Sequence, residues 1–188
     1  MKIFMDMEFT GLHQYTTLVS IGMVTEYGDT FYAEFTDFDE NQVDGWLVDN
    51  VLDNLYLTDV NEFPGSDKLN VKVKGDTRLV RRHMDDWFTE TLLAHEEKRI
   101  DMWGDCMAYD WVLFNQIYGH SFNIPYYINY IPFDICTVFA LAGVDPDIER
   151  EKYCGYTDTT NKHNSLHDAQ VIKKCFEKVS KEMLIFKK

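Results

Sequence analysis

The sequence predicts a mixed α/β or α+β domain, one β-sheet covered by helices. Two observations predict it. Strand-like segments fill residues 2–36, and helical periodicity then dominates with further strand signal between the helices. The 188 residues suit one domain (1–188) with a single substantial core, and no repeat, linker or low-complexity tract divides them.

The first element is residues 2–9, where Ile3, Met5, Met7 and Phe9 alternate with Phe4, Asp6 and Glu8. A strand has a side-chain period of two, so the odd residues make an apolar face while the even face turns acidic just before Thr10-Gly11. Two carboxylates about 7 Å apart along one strand face repel each other. They belong either to a solvated edge strand or to a divalent-metal site. Residues 17–25 and 30–36 read as strands flanking a Tyr27-Gly28-Asp29 turn, which completes an antiparallel meander. Val43, Trp46, Leu47, Val51 and Leu55 give 41–56 a helical spacing. Residues 58–76, with Pro64-Gly65 and the alternating NVKVKG, read as an excursion or small hairpin. A helix follows over 77–95, then a short strand near 100–103 and a helix from Ala108 to Tyr118 ended by Gly119. An aromatic, proline-marked stretch (121–133), a helix from Asp134 to Ala142 and a last helix from Ser165 to Met183 complete the chain.

Apolar residues at 45% and charged residues at 27% are ordinary for a globular chain. The formal charge of −14 argues against charge-driven nucleic-acid binding. It leaves room for a metal-dependent nucleic-acid enzyme, in which clustered acids hold cations that face the phosphate. Strand-like sequence near Met1 and the lack of an apolar run of about 18 residues argue against secretion and membrane insertion. Cys106, Cys136, Cys154 and Cys175 are too scattered for a zinc motif, so reduced thiols and a cytoplasmic location are expected.

Three further residues carry chemistry. Asp110 lies in the first turn of its helix, where an acid meets the helix dipole whether or not it has another role. Asp168 lies four residues before Ile172, beside the apolar stripe of the last helix. A carboxylate there needs a partner, either a metal or a basic side chain. His163 is five residues before Asp168, so the two do not share a helical face, and His163 reads as a loop residue ahead of an Asn164 or Ser165 cap. His167 points about 100° away from Asp168 around the helix.

Taken together, MDMEFTGL, WGDCMAYDWVL and HNSLHDA resemble the three motifs of the DEDDh branch of the DnaQ-like 3′–5′ exonucleases, in order and over nearly the whole chain. The second motif is similar to the W-G-N-G-x-x-F-D pattern of a subgroup with RNase AS-type exoribonucleases and phage exonucleases. Asp105, Cys106 and Tyr109 depart from that pattern. FDICTVF resembles the subgroup's D-x-R-T segment with Cys136 in the Arg position, and Ser165 replaces an Ala in the third motif.

The resemblance implies a ribonuclease H-like mixed sheet, an antiparallel 1-2-3 meander plus parallel strands, flanked by helices. It implies two Mg²⁺ or Mn²⁺ ions held by Asp6, Glu8, Asp110 and Asp168, with His163 as general base. The activity implied is 3′–5′ hydrolysis of single-stranded nucleic acid, RNA favoured over DNA, to nucleoside 5′-monophosphates. Substrate contacts are expected from Phe9, Thr10, Gly11, Leu12 and Trp103. Lys68, Lys72, Lys74, Arg78, Arg81 and Arg82 form either a solvated face or a phosphate track. Tyr126, Tyr127 and Tyr130 could stack bases or pack, and related exonucleases are often homodimers. A structure-specific endonuclease would share the acids, and a silent nucleic-acid-binding module would share the fold.

Overall fold

The computed structural model describes residues 1–58, 67–157 and 163–183. Strands β1 (Lys2–Phe9), β2 (Leu18–Thr25) and β3 (Thr30–Phe35) form the expected antiparallel meander. β4 (Asn70–Gly75) joins parallel to β3, while β5 (Asp101–Gly104) and the two-residue β6 (Phe133–Asp134) extend the other side in parallel. The order is β4-β3-β2-β1-β5-β6, a mixed sheet flanked by helices as the sequence predicts.

The helices are α1 (Gly45–Asn50), α2 (Thr77–Ala94), α3 (Ala108–Ile117), α4 (Ile135–Ala142), α5 (Arg150–Cys154) and α6 (Ser165–Glu182). The alternation of β1 sorts them into two layers. Ile3, Met5 and Met7 pack with Val80, Met84 and Phe88 of α2 and with Leu113 and Phe114 of α3. Phe4 instead packs with Ile135 and Phe139 of α4 and with Ala169, Ile172 and Cys175 of α6. All eight residues of β2 are buried, because both faces of this central strand are covered. Among the described residues no helix is long and apolar enough to cross a membrane.

Three expectations need correction. Residues 41–56 are not one helix but a 3-10 turn (Glu40–Gln42), α1, and a second 3-10 turn (Leu52–Asn54). Acids and amides break the run: Asp39 and Asp44 cap backbone N–H groups, while Asn50 and Asn54 donate to carbonyls one turn back. The NVKVKG segment is no hairpin, since it is β4 and pairs in parallel with the earlier β3. β6 takes the first residue of the helix expected from Asp134, which begins at Ile135 instead, and α5 falls in a stretch without an expected element. The expected Pro64-Gly65 turn lies outside the described residues.

Two local features shape the end of β1. Glu8 pairs with Ser20 and Phe9 with Leu18, so Val19 is the extra residue of a β-bulge. Val19 joins Leu47 and Val51 in a small third cluster, which seats α1 beside the end of β1. At the neighbouring position, α6 lies directly on β2. A Cβ at Gly22 would stand 2.1 Å from Leu166 N, and Ser20 and Ser165 share a buried hydrogen bond of 2.9 Å. The Ser that replaces the motif's Ala therefore has a partner.

Gly22→Ala has no flexible side chain to push aside, only helix backbone. It should destabilise the protein by about 3 kcal/mol, at the upper end of overpacking penalties, or prevent folding. Urea denaturation of the variant, followed by circular dichroism, measures this directly.

Candidate metal and active site

The acids of β1 lie on the same face as Phe4, beneath the start of α6. Asp6 and Glu8 each bring a carboxylate oxygen within 4.8 Å of one another and of an oxygen of Asp168. Asp168 arrives from the first turn of α6. Asn164 caps that helix by accepting from His167 N at 3.3 Å, and the docking on Gly22 and Ser20 fixes its distance from the sheet.

Asp110 joins in another way. β5 pairs with β1 only as far as Phe4, so farther along β1 the backbone must find other partners on that side. The Met7 N–H donates to Asp110 Oδ1 at 3.0 Å. The first turn of α3 thus stands where a strand would be, with its acid beside the other three.

Burial and mutual repulsion dominate the electrostatics. Asp6 is raised well above the usual carboxyl range by burial, then by Asp168, Glu8, Asp110 and Asp105. Glu8 is pushed up to about 8 by burial, followed by Asp168 and Asp110. Burial lifts Asp110 to about 6, partly offset by the backbone N–H groups it accepts from. Oxygen-only donors this close, and this averse to sharing charge, fit a hard divalent cation such as Mg²⁺ or Mn²⁺.

His163 precedes the Asn164 cap, in the loop position the sequence predicts. It is exposed, its φ is +61°, and its ring stands edge-on to Trp46 of α1 at 5.6 Å. His167 corrects an expectation. It is buried edge-on against Tyr156, and its Nε2 turns back to 3.9 Å from Asp168 Oδ1. A long side chain can bridge the 100° between helical neighbours when a wall such as Tyr156 turns it.

The loop after β1 borders a cleft of about 450 Å³, lined by Glu8, Gly11 and Leu12 together with Trp46 and Leu47 from α1. Leu12 is 77% exposed, so it is not core. The Thr10 hydroxyl is bonded to Thr16 and Thr17 within the loop and to Gln42 of the 3-10 turn, which fixes the loop's path. Phe9 also lines this cleft, and its ring stacks on Tyr109 at 5.6 Å.

Two sets of expected substrate contacts fall elsewhere. Trp103 is core, with its ring stacked on Phe133 at 4.8 Å and tilted against Phe176 at 4.5 Å, because its strand position faces α6. Arg78, Arg81 and Arg82 sit on α2, whose apolar face packs on the sheet side opposite Asp6 and Glu8. Arg81 lies over Tyr118 and pairs with Asp85, at the far end of α3 from Asp110. Lys68 pairs with Glu90, and Lys74 with the fully buried Glu34. Lys72 lies over the Tyr56 ring, Tyr126 and Tyr130 are exposed, and Tyr127 packs edge-on against Phe88. Sequence spacing showed a run of basic residues but not the partners that occupy them.

Sequence reading missed Arg150. Asp105, Asp134 and Cys136 form a second close group, and the Arg150 guanidinium fills it. It grips Asp105 through Nε–Oδ2 at 2.6 Å and Nη2–Oδ1 at 2.9 Å. The Cys136 thiol donates to the same carboxylate at 2.9 Å and accepts from Arg150 at 3.3 Å, and burial followed by Asp105 lifts it to about 12. The arginine missing at 136 was the available signal, but nothing in the sequence pointed to position 150.

A family model for the 3′–5′ exoribonuclease Rv2179c-like domain matches residues 1–180. Comparison with curated proteins finds no match.

The raised carboxyls make the metal-free protein sensitive to pH. A folded-state pKa above the unfolded value means that the folded chain keeps a proton which the unfolded chain releases. The stability from Glu8 is therefore full below 4.5 and is lost as pH rises through about 8. Melting temperature in a chelator should fall across this window, and Mg²⁺ or Mn²⁺ should restore it. Asp168→Asn, which removes the largest charge acting on both Asp6 and Glu8, should flatten the slope and raise the melting temperature near the upper end. Thermal melts at stepped pH, with and without the ions, check both outcomes.

Proposed function

Because the chain belongs to the 3′–5′ exoribonuclease Rv2179c-like domain family, we propose that it removes nucleotides from the 3′ end of single-stranded RNA, using two Mg²⁺ or Mn²⁺ ions and a histidine base. The observation that carries this reading is the convergence of Asp6, Glu8 and Asp168 oxygens within 4.8 Å, with Asp110 tied to the intervening strand residue. Those four carboxylates would hold the ions. Ions bound there supply Lewis acidity and offset the charge on the phosphate.

The remaining work falls to the chain itself. The docked α6 and the β1 strand hold the acids in place before any ligand arrives, so no reorganisation is needed at the moment of reaction. His163 takes the proton of the attacking water on a ring nitrogen and gives it up to solvent, which its exposed loop position allows. The cleft between Leu12 and Trp46 accepts the terminal nucleotide, and the bonded loop at Thr10 blocks the path beyond the 3′ end. The four free thiols support a reducing, cytoplasmic setting.

Matched single-stranded RNA and DNA oligonucleotides, with and without divalent ions, test the proposal. RNA should be shortened from its 3′ end to nucleoside 5′-monophosphates, and more slowly or not at all after a 3′-phosphate is added. A 5′ block should have no effect. Efficient cleavage of circular single strands would replace this reading with an endonuclease.

His163→Ala should lower turnover by about 10²–10⁴-fold while metal affinity holds, because the carboxylates carry the ions. His167→Ala should mainly lower stability, since that ring is buried. A crippled His167→Ala with near-normal His163→Ala would exchange the two roles. Single-turnover kinetics with isothermal titration of Mn²⁺ separates these outcomes.

A further inference from the structure

We propose that Tyr32 and Glu34, two fully buried β3 residues outside the acid cluster, are positioning residues for His163. This rests on the reading of His163 as the base. The strand register makes the arrangement visible: Asp6, Gly22 and Tyr32 form one row across β1, β2 and β3, while Glu8, Ser20 and Glu34 form the next. The small residues in the middle admit the start of α6. The acids stand on one side of that helix start, and Tyr32 and Glu34 on the other.

The bonds run from Glu34 to both sides of His163. Tyr32 Oη donates to Glu34 Oε1 at 3.0 Å and accepts from Asn164 Nδ2 at 3.3 Å. Asn164 directly follows His163 and caps α6 with its other amide atom, Oδ1. Both ends of this amide are therefore engaged, which leaves it one orientation. Glu34 Oε1 also accepts the N–H groups of Tyr56 and Leu57 at 2.8 and 3.0 Å, and Lys74 pairs with Oε2 at 3.1 Å. Asn164 Nδ2 reaches Asn54 O as well, at 3.5 Å. Residues 54–57 continue from α1, which presents Trp46 to the His163 ring. One buried carboxylate thus ties down the residue after His163 and the chain leading from the wall it stands against. A histidine at φ +61° occupies a sparsely populated conformation and relies on such neighbours to keep it there.

Tyr32→Phe removes one hydroxyl and keeps the ring stacked on Tyr56 at 4.7 Å. We expect kcat to fall about tenfold with KM unchanged, part of the loss that deleting a general base causes. In a His163→Ala background the same change should alter kcat less than about twofold, because its effect passes through His163. Asn164→Ser keeps a good helix cap but cannot reach Tyr32, and it should behave like Tyr32→Phe. In the metal-free protein, the His163 ring resonances, assigned by their loss in His163→Ala, should move towards solvent-exposed values in both variants as contact with Trp46 loosens. Equal losses in both backgrounds, or unmoved His163 resonances, would overturn the proposal. If the wild-type protein hydrolyses no RNA, the reading of the activity fails, while the resonances still decide whether Tyr32 positions His163.

Discussion

α6 crosses β2 where residue 22 has no side chain, so its backbone rests almost on the strand. Aspartate is a short acid, and Asp168 can meet Asp6 and Glu8 only if the helix that carries it comes this close. Ser20 and Ser165 then set the azimuth of the helix through one buried bond, and Asn164 sets where it begins. The apolar stripe of Ala169, Ile172, Cys175 and Val179 supplies the burial that holds the helix down against the repulsion at its first turn. Packing energy spread along α6 is thus used to compress charge at one end of it.

That compression explains the distribution of the remaining charge. With 32 acids against 18 lysines and arginines, the chain has few cations to offer a phosphate, and several of the basic residues near α2 are already matched to acids. Beside the acid cluster, His167 Nε2 stands 3.9 Å from Asp168 Oδ1, while the Arg150 guanidinium is bound to Asp105. A divalent cation bound there would oppose the mutual repulsion that raises Asp6 and Glu8.

The legible parts of the site were those written in local periodicity. Asp6 and Glu8 stand out because acids on one face of an otherwise apolar strand break a period of two, and Asp168 because it borders an apolar stripe of period 3.6. The helices at 77–94, 108–117 and 165–182 follow from the same stripes. What could not be read depends on pairing between distant segments. The parallel placement of β4, the burial of Trp103 and the separation of α2 from the acids are all facts of sheet order. The division of residues 41–56 was obscured because the apolar spacing there suits a helix, while the short polar side chains compete for its backbone. Tyr32 and Glu34 looked like ordinary members of a strand, and only the rows across three strands reveal their relation to His163.

Arg150 reaches the end of β5 from a different helix than the resembled motif would use, and it satisfies Asp105 through two nitrogens while contacting Cys136. A guanidinium thus stands beside position 136 although that position carries a thiol. Position 136 then invites a mistaken repair: restoring arginine there would press a second guanidinium onto a carboxylate whose two oxygens are already taken. A design that transplants motifs between such proteins would have to move residues 136 and 150 as a single unit, together with the acid they share.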